Sequence, residues 1–101
     1  MTLIDDYLDE AEKFRKKYGD NTAVLMQVGH FYEAYAIDNN EERTNADNLY
    51  RLSDIMNIQM TRKNKNIVEN SRGNPLMIGV NIYSIDKFVQ ILLNNFYTIV
   101  I

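Results

Sequence analysis

The segment Val24–Tyr35, VLMQVGHFYEAY, decides the fold of this chain, because an apolar run ends there at a glycine and an aromatic and acidic cluster follows at once. The run Val24–Val28 is typical of a strand that is buried on both faces, and Gly29 permits a bend or a close backbone approach. Side chains alternate in an extended segment, so Phe31 and Glu33 are expected to share one face. The segment therefore predicts a large ring and a carboxylate that project side by side after a buried strand.

The composition favours one compact domain. With 101 residues, 46% of them hydrophobic, the chain is expected to bury about 65% of its unfolded surface. It has no cysteine and one histidine, which excludes disulfide frameworks and zinc sites built on thiolates. A metal or acid–base site made of His30, Glu33 and Asp38 matches no established ligand spacing, so the pattern gives little support to an enzyme.

The charge and the N-terminal sequence restrict location and partners. The first ten residues, MTLIDDYLDE, are acidic, and no apolar run approaches the ~20 residues that a membrane span needs. We therefore expect a soluble, intracellular protein with no membrane partner, in a nuclear, cytoplasmic, organellar or viral compartment. The net charge of −3 argues against strong DNA binding by this chain alone, because cations that neutralise phosphates supply most of the sequence-independent affinity.

Three stretches with apolar residues at helical spacing predict three helices. The first has Thr2 and Asp5 as a capping box, and Gly19 lies just past its end. The second falls within Glu41–Met56, whose polar first part can also form a loop. The third is expected to close in a left-handed turn at Asn94-Asn95. The predicted helices lie near residues 3–17, 45–56 and 85–94.

The remaining apolar segments predict strands and leave one polar loop. Tyr32 and Ala34 alternate with Phe31 and Glu33, and Tyr32 is expected in the core. The segment Lys63–Asn74 is polar, rich in Asn and locally basic, which favours a solvated loop. The element order predicts an α/β class: a single domain with a mixed sheet centred on Thr22–Val28 and flanked by helices. The predicted strands are Thr22–Val28, Phe31–Ile37, Ile58–Arg62, Pro75–Val80 and Tyr97–Ile101.

The motif Gly29–Glu33, GHFYE, resembles the Gly-x-Phe-Tyr-Glu motif of the N-terminal mismatch-recognition domain of the MutS family of DNA mismatch-repair proteins. The resemblance extends through Leu52–Arg62, which is similar to the end of a family helix and the strand after it. Pro75–Val80 and Tyr97–Ile101 are similar to two further strands of the family. The match therefore covers most of the chain rather than one short motif.

Three positions depart from the family pattern. His30, Asn81 and Phe96 stand where the family usually has Asp, Pro and Gly. None of these positions coincides with Phe31 or Glu33. Together with the Asn- and Ile-rich composition, these departures indicate a divergent member, of viral or organellar type.

The resemblance implies roles for particular residues, although an arbitrary Phe after an apolar strand is more often in the core. Phe31 would enter the minor groove as a wedge and stack on a mispaired base, where pairing and stacking are already weak. Glu33 would contact that base and repel ordinary duplex. Backbone phosphates would be contacted by cationic or polar side chains, namely His30, Arg62, Lys63, Lys65 and Arg72.

The resemblance also implies that residues 1–101 are a mismatch-recognition domain and a fragment of a much longer chain. The ATPase, connector, lever and clamp regions of the family have no counterpart in this sequence, so this fragment is expected to be no enzyme and to hold no cofactor. Its full-length parent would be a DNA-dependent ATPase that uses ATP and Mg. The expected partners are mismatched double-stranded DNA, the remaining MutS domains and a dimer partner subunit. The alternative is the same fold used as a structural or protein-interaction module that does not read mismatches.

Overall fold

The N-terminal helix begins as its capping residues predict. The Thr2 hydroxyl accepts a hydrogen bond from the backbone N–H of Asp5, and the Asp5 carboxylate accepts one from the backbone N–H of Thr2, each at 3.2 Å. This reciprocal pair satisfies two of the free N–H groups at the helix start. Gly19 ends the helix with a φ of 101°, a conformation that favours glycine.

The computed structural model describes residues 2–101, and these residues form three α-helices, a short 3₁₀ turn at Ile82–Ser84 and seven strands. All three helices lie where their apolar periodicity predicts them. In chain order the elements are α1 (Leu3–Tyr18), β1 (Thr22–Val24), β2 (Met26–Val28), β3 (Phe31–Asp38), β4 (Arg43–Thr44), α2 (Ala46–Met56), β5 (Thr61–Arg62), β6 (Leu76–Asn81), α3 (Ile85–Asn94) and β7 (Thr98–Val100).

The strands form a mixed arrangement in which β3 has the most neighbours. β3 pairs antiparallel with β2, with β6 and, near its end, with β4. β5 pairs antiparallel with the far side of β6, and β1 pairs parallel with β7. The predicted mixed sheet and α/β class are confirmed. The centre is β3, however, and not Thr22–Val28. The short strand β4 was not predicted, since the pattern placed it at the polar start of a helix.

The predicted strand Thr22–Val28 is divided at Leu25, because the chain changes its pairing partner there. β1 runs beside β7, and the backbone N–H of Leu25 still donates to the carbonyl of Val100 at 2.8 Å. Beyond that point β2 pairs with β3 instead. The first half is buried, whereas Met26 and Val28 are half-buried and Gln27 is exposed. The prediction that this strand is buried on both faces is therefore confirmed for β1 and wrong for β2.

The apolar residues of the helices and inner strands form one core. Tyr32 is half-buried and packs against this core, so its predicted core placement is right in part. The largest fully buried apolar side chains include Tyr35, Ile37, Leu49, Leu52, Ile78 and Leu92.

None of the helices in the described part of the chain is long and apolar enough to cross a membrane.

Gly29 makes the turn between β2 and β3. Val28 and Phe31 are paired, so Gly29 and His30 form a two-residue hairpin loop. Gly29 has a φ of 61°, and His30 is not left-handed. A positive φ at the first loop residue alone is typical of the type II′ turn, whose twist suits a tight hairpin. Phe31 therefore begins a new strand instead of continuing the first one.

Gly29→Ala is expected to lower the free energy of unfolding by about 1–2 kcal/mol, because a Cβ in the left-handed region meets its own backbone. No atom lies within 4 Å of a Cβ built at Gly29, so crowding by neighbours does not contribute. Urea unfolding measures the change. Gly73→Ala is the control, since Gly73 lies outside the left-handed region and a Cβ there would meet only Ser71 Oγ at 3.8 Å. Equal effects of the two substitutions would contradict the turn assignment.

The left-handed residue after α3 is Phe96, with a φ of 65°, and not Asn94 or Asn95. The prediction at Asn94-Asn95 is therefore wrong by one position, although Asn95 does cap the helix through its backbone N–H. Phe96 is the residue that stands where the MutS pattern usually has Gly. Its side chain is 87% exposed, so little packing offsets the cost of the backbone conformation.

Phe96→Gly is expected to raise the free energy of unfolding by about 1 kcal/mol, because glycine adopts this φ without a Cβ clash. Phe96→Ala removes the same ring and keeps the Cβ, so it serves as the matched control. A thermal or urea unfolding series on the three proteins measures the difference. If Phe96→Ala stabilises the chain as much as Phe96→Gly does, the exposed ring and not the backbone is the source of the cost.

Candidate nucleic-acid interface

The hairpin end of the sheet carries a half-exposed face. Alternation along β3 places Phe31, Glu33 and Tyr35 on one side, and directly paired residues of neighbouring strands share that side. The pairs bring Val28 and Asn81 beside Phe31, and Met26 and Gly79 beside Glu33. We call this surface, made of Met26, Val28, Phe31, Glu33, Gly79 and Asn81, the open sheet face.

Phe31 lies at the surface end of β3 as predicted, and the residue is 47% exposed. The backbone N–H of Ile82 donates to the carbonyl of His30 at 2.9 Å, which ties the hairpin turn to the end of β6. His30 itself is exposed in that turn. The ring of Phe31 is therefore presented on well-paired backbone and not on a free loop. Its exposure is confirmed, and its contact with a base stays a prediction.

Glu33 is half-buried two residues further along β3. Its Oε1 accepts a hydrogen bond from the Tyr35 hydroxyl. Within residues 2–101 no group donates to its other oxygen, Oε2. Gly79 lies opposite, and a Cβ built there would meet Glu33 Cγ at 3.5 Å and Oε2 at 3.9 Å. Because Gly79 has no side chain, this flank of the carboxylate stays uncovered.

Tyr35 supports this arrangement from the core. Its ring is fully buried and meets the ring of Tyr7 edge-on, with centroids 5.2 Å apart. Burial raises the pKa of the Tyr35 hydroxyl, and its hydrogen bond to Glu33 and the charge of Glu33 raise it further. The hydroxyl therefore keeps its proton at physiological pH and acts as a donor. On the ring face, Lys63 Nζ lies 5.3 Å from the centroid, within cation–π range.

The basic residues assigned to phosphate contacts fall into two groups. Lys63 and Lys65 are exposed, and Lys63 lies beside the open sheet face through its contact with Tyr35. Arg62 instead donates to two loop carbonyls, those of Ile67 at 2.7 Å and Lys65 at 3.0 Å. Arg72 forms ion pairs with carboxylates. Its partners are Asp5 at 2.7 Å and Glu42 at 2.8 Å. The structure thus places His30 next to Phe31 in the hairpin turn and Lys63 against the Tyr35 ring, and it commits Arg62 and Arg72 to intramolecular contacts.

The segment Lys63–Asn74 is a loop as predicted, yet amide side chains organise it internally. Asn74 is buried, and its amide exchanges hydrogen bonds with the backbone of Asn64 and donates to the carbonyl of Glu69. Asn70 bonds to both the N–H and the carbonyl of Asp38, at 2.7 and 2.9 Å. The loop is therefore fixed against the end of β3, which the polar composition alone did not indicate.

His30, Glu33 and Asp38, the three side chains that could have formed a metal or acid–base site, do not lie together in the structure. Asp38 lies at the opposite end of β3 from His30, where it accepts from the Tyr50 hydroxyl at 2.6 Å and pairs with Arg43 at 3.5 Å. In the described residues no three His, Asp or Glu side chains converge on a point that could hold a metal ion. Glu33 is consequently the one member of that set on the open sheet face.

Two residues of the site were missed at the sequence level. Tyr35 and Gly79 carry no charge, and the segments that contain them, Val24–Tyr35 and Pro75–Val80, gave neither residue a chemical role. Tyr35 could have been found, because its spacing of two from Glu33 in a strand puts both on one face. Gly79 could not, since its place opposite Glu33 depends on the register between β3 and β6.

Arg72→Gln is expected to lower stability near neutral pH and to lower it less in acid. The hydrogen bond from Arg72, and then those from Thr2, lower the pKa of Asp5 from 3.8 to about 2. A carboxyl with a lower pKa in the folded chain stabilises the fold above its unfolded-state pKa, and that contribution is lost as the pH falls through the folded-state value. The difference in urea midpoint between variant and parent should therefore shrink from pH 3.8 towards pH 2.

Lys65→Gln is the control for this experiment, because it removes one positive charge from the same loop. Lys65 has no carboxylate partner among residues 2–101. Its difference from the parent should be small and should vary little over the same pH range. A difference for Arg72→Gln that stays constant with pH would show that the ion pairs do not contribute in the way the geometry indicates.

Comparison with known proteins supports the family resemblance. No protein-family model matches the chain. The chain is 35% identical over 101 residues to a mutS homolog of Acanthamoeba polyphaga mimivirus that is named as a proposed DNA mismatch repair protein. The match covers 99% of this chain and 9% of the viral protein, so the chain spans about a tenth of the length of that relative. The resemblance to a MutS-family protein is thereby confirmed over almost the whole of this chain, and the short matched share of the viral protein is consistent with an N-terminal MutS-like domain.

Proposed function

We propose that this chain is the mismatch-recognition domain of a longer MutS-type DNA mismatch repair protein. In this proposal Phe31 is the wedge that stacks on a mispaired base, and Glu33 is the carboxylate that contacts that base. The observation that carries the proposal is the pairing of an exposed ring with an adjacent carboxylate on one sheet face. The mutS homolog with similar sequence supports a role in mismatch repair.

The cost of deforming DNA explains why such a wedge would select mismatches. Inserting a side chain between base steps requires partial unstacking, which costs a few kcal/mol in a paired duplex and less where pairing is already lost. Phe31 is 47% exposed and is not one of the core residues, so its ring can enter a groove without disturbing the core. The selectivity then comes from the DNA, because the same wedge is costlier to insert at a matched step.

Glu33 adds a penalty against matched duplex. A carboxylate near the phosphates of a groove is repelled, and this repulsion is offset only where the carboxyl can bond to an accessible base edge. On this account Phe31 mainly favours mismatched DNA, whereas Glu33 mainly disfavours matched DNA. The two side chains would therefore have separable effects on binding.

The electrostatics support weak binding by this domain alone. The net charge is −3, and Arg62 and Arg72 are engaged in the contacts described above. His30, Lys63 and Lys65 remain as candidates for phosphate contacts. Three such contacts give modest affinity, because the affinity and its salt dependence both grow with the number of phosphates that are neutralised. We propose that the rest of a longer chain and a second subunit supply most of the affinity, and that ATP and Mg act there and not in this domain.

Phe31→Ala in a protein that carries the whole parent chain should reduce affinity for a mismatched duplex by about 1–3 kcal/mol, the range typical of base–aromatic stacking. Affinity for the matched duplex should change little. Fluorescence anisotropy with both duplexes at one salt concentration measures the two values. Phe96→Ala, which removes another exposed ring far along the chain, is the matched control and should leave both affinities unchanged.

Glu33→Gln should mainly change the affinity for the matched duplex. It removes a repulsive charge, so matched DNA should bind as well as before or more tightly. The preference for mismatched over matched duplex should therefore fall because binding to the matched duplex improves.

A Phe31→Ala protein that keeps its full mismatch preference would contradict the proposal. In that case the fold would be better explained as a structural or protein-interaction module.

A further inference from the structure

We infer that Tyr35 is a positioning residue for Glu33, one that sets which carboxylate oxygen faces the DNA and thereby contributes to mismatch specificity. The inference rests on the proposed function. Tyr35 lies two residues beyond Glu33 in β3, on the same face, and its hydroxyl donates to Glu33 Oε1. This is the hydrogen bond that the structure assigns to the Glu33 side chain.

The Tyr35 hydroxyl is held in place by the core. The ring has no exposed surface, and Tyr7 packs against it edge-on at an interplanar angle of 88°. Tyr7 is itself anchored, because its hydroxyl donates to the carbonyl of Val24 at 2.8 Å in the buried interior. The carbonyl of Tyr35 accepts from the Asn45 side chain at 2.8 Å. A donor with so little freedom of movement fixes the acceptor that it bonds.

As a consequence, the two carboxylate oxygens of Glu33 have different surroundings. Oε1 faces the Tyr35 hydroxyl and is occupied, whereas Oε2 lies beside Gly79 on the uncovered flank. Because the pKa of the Tyr35 hydroxyl is raised, the tyrosine remains the donor in this pair. The outward oxygen, Oε2, is then the one that is free to accept a hydrogen bond from a base edge.

Tyr35→Phe tests the inference, because it keeps the ring and removes only the hydroxyl. The first measurement needs no DNA: the side-chain carboxyl ¹³C resonance of Glu33 in this chain should shift in Tyr35→Phe. Tyr50→Phe is the matched control. It removes a tyrosine hydroxyl that bonds to Asp38, at the far end of β3, and not to Glu33, so the Glu33 resonance should stay unchanged. A Glu33 resonance that is the same in Tyr35→Phe and the parent overturns the inference.

The second measurement is the ratio of mismatched to matched duplex affinity in a protein that carries the whole parent chain. Tyr35→Phe should lower this ratio by about tenfold, the lower end of what is expected for losing one hydrogen bond to a charged group. It should have no further effect when Glu33 is already replaced, in Glu33→Ala. A Tyr35→Phe effect of equal size in the Glu33→Ala background would mean that the tyrosine acts through general packing, which overturns the positioning role.

The two measurements separate this inference from the proposed function. If the parent protein shows no mismatch preference, the proposed function fails and the specificity role of Tyr35 fails with it, whatever the resonance shows. If mismatch preference depends on Phe31 but not on the Tyr35 hydroxyl, the proposed function stands and this inference alone is overturned. A shifted Glu33 resonance together with a lowered, Glu33-dependent preference supports both.

Discussion

The register between β3 and β6 is the constraint on which the site depends. The two strands pair antiparallel from Phe31 with Asn81 to Ala36 with Leu76. Ala34 and Ile78, paired with each other, point to the buried side, so Phe31 and Glu33 point to the open one. A slip of one residue would exchange the faces and bury a carboxylate, at a cost of several kcal/mol. Because the face of β3 that carries Ala34 is buried, the Phe31 ring on the opposite face is exposed.

The same strand passes from surface to core within five residues, and this gradient accounts for the chemistry at its start. Phe31 is half-exposed, Glu33 is half-buried and Tyr35 is fully buried. The carboxylate thus lies where solvent and core meet, with a fixed donor on its inner side and the missing side chain of Gly79 on its outer side. Rigid backbone pairing and a buried donor allow a small domain to present a polar group in one orientation.

Local patterns predicted much of the fold, because helices and strands depend mainly on residues near in sequence. The Thr2–Asp5 capping box and the three helices follow from spacing alone, whereas the surface position of Phe31 was expected from the family resemblance. The division at Leu25 did not follow from spacing, since it arises from a change of partner between two distant strands. Arg72 and Asp5 are 67 positions apart in the sequence, so local patterns do not reveal that they form an ion pair. For this reason the positive charge of Arg72 is predicted to contact DNA, whereas in the structure it stabilises the fold. The predicted roles of Phe31 and Glu33 in DNA binding come from the family resemblance and not from local patterns.

The most direct test of the central claim is an NMR titration of this chain with a mismatched and a matched DNA duplex at low salt, where weak contacts are detectable. The account predicts shift changes concentrated on the open sheet face, at Val28, Phe31, Glu33 and Gly79, and larger for the mismatched duplex. Changes of equal size for both duplexes, or changes confined to the outer surface of α1, would contradict the claim that this face reads mismatches.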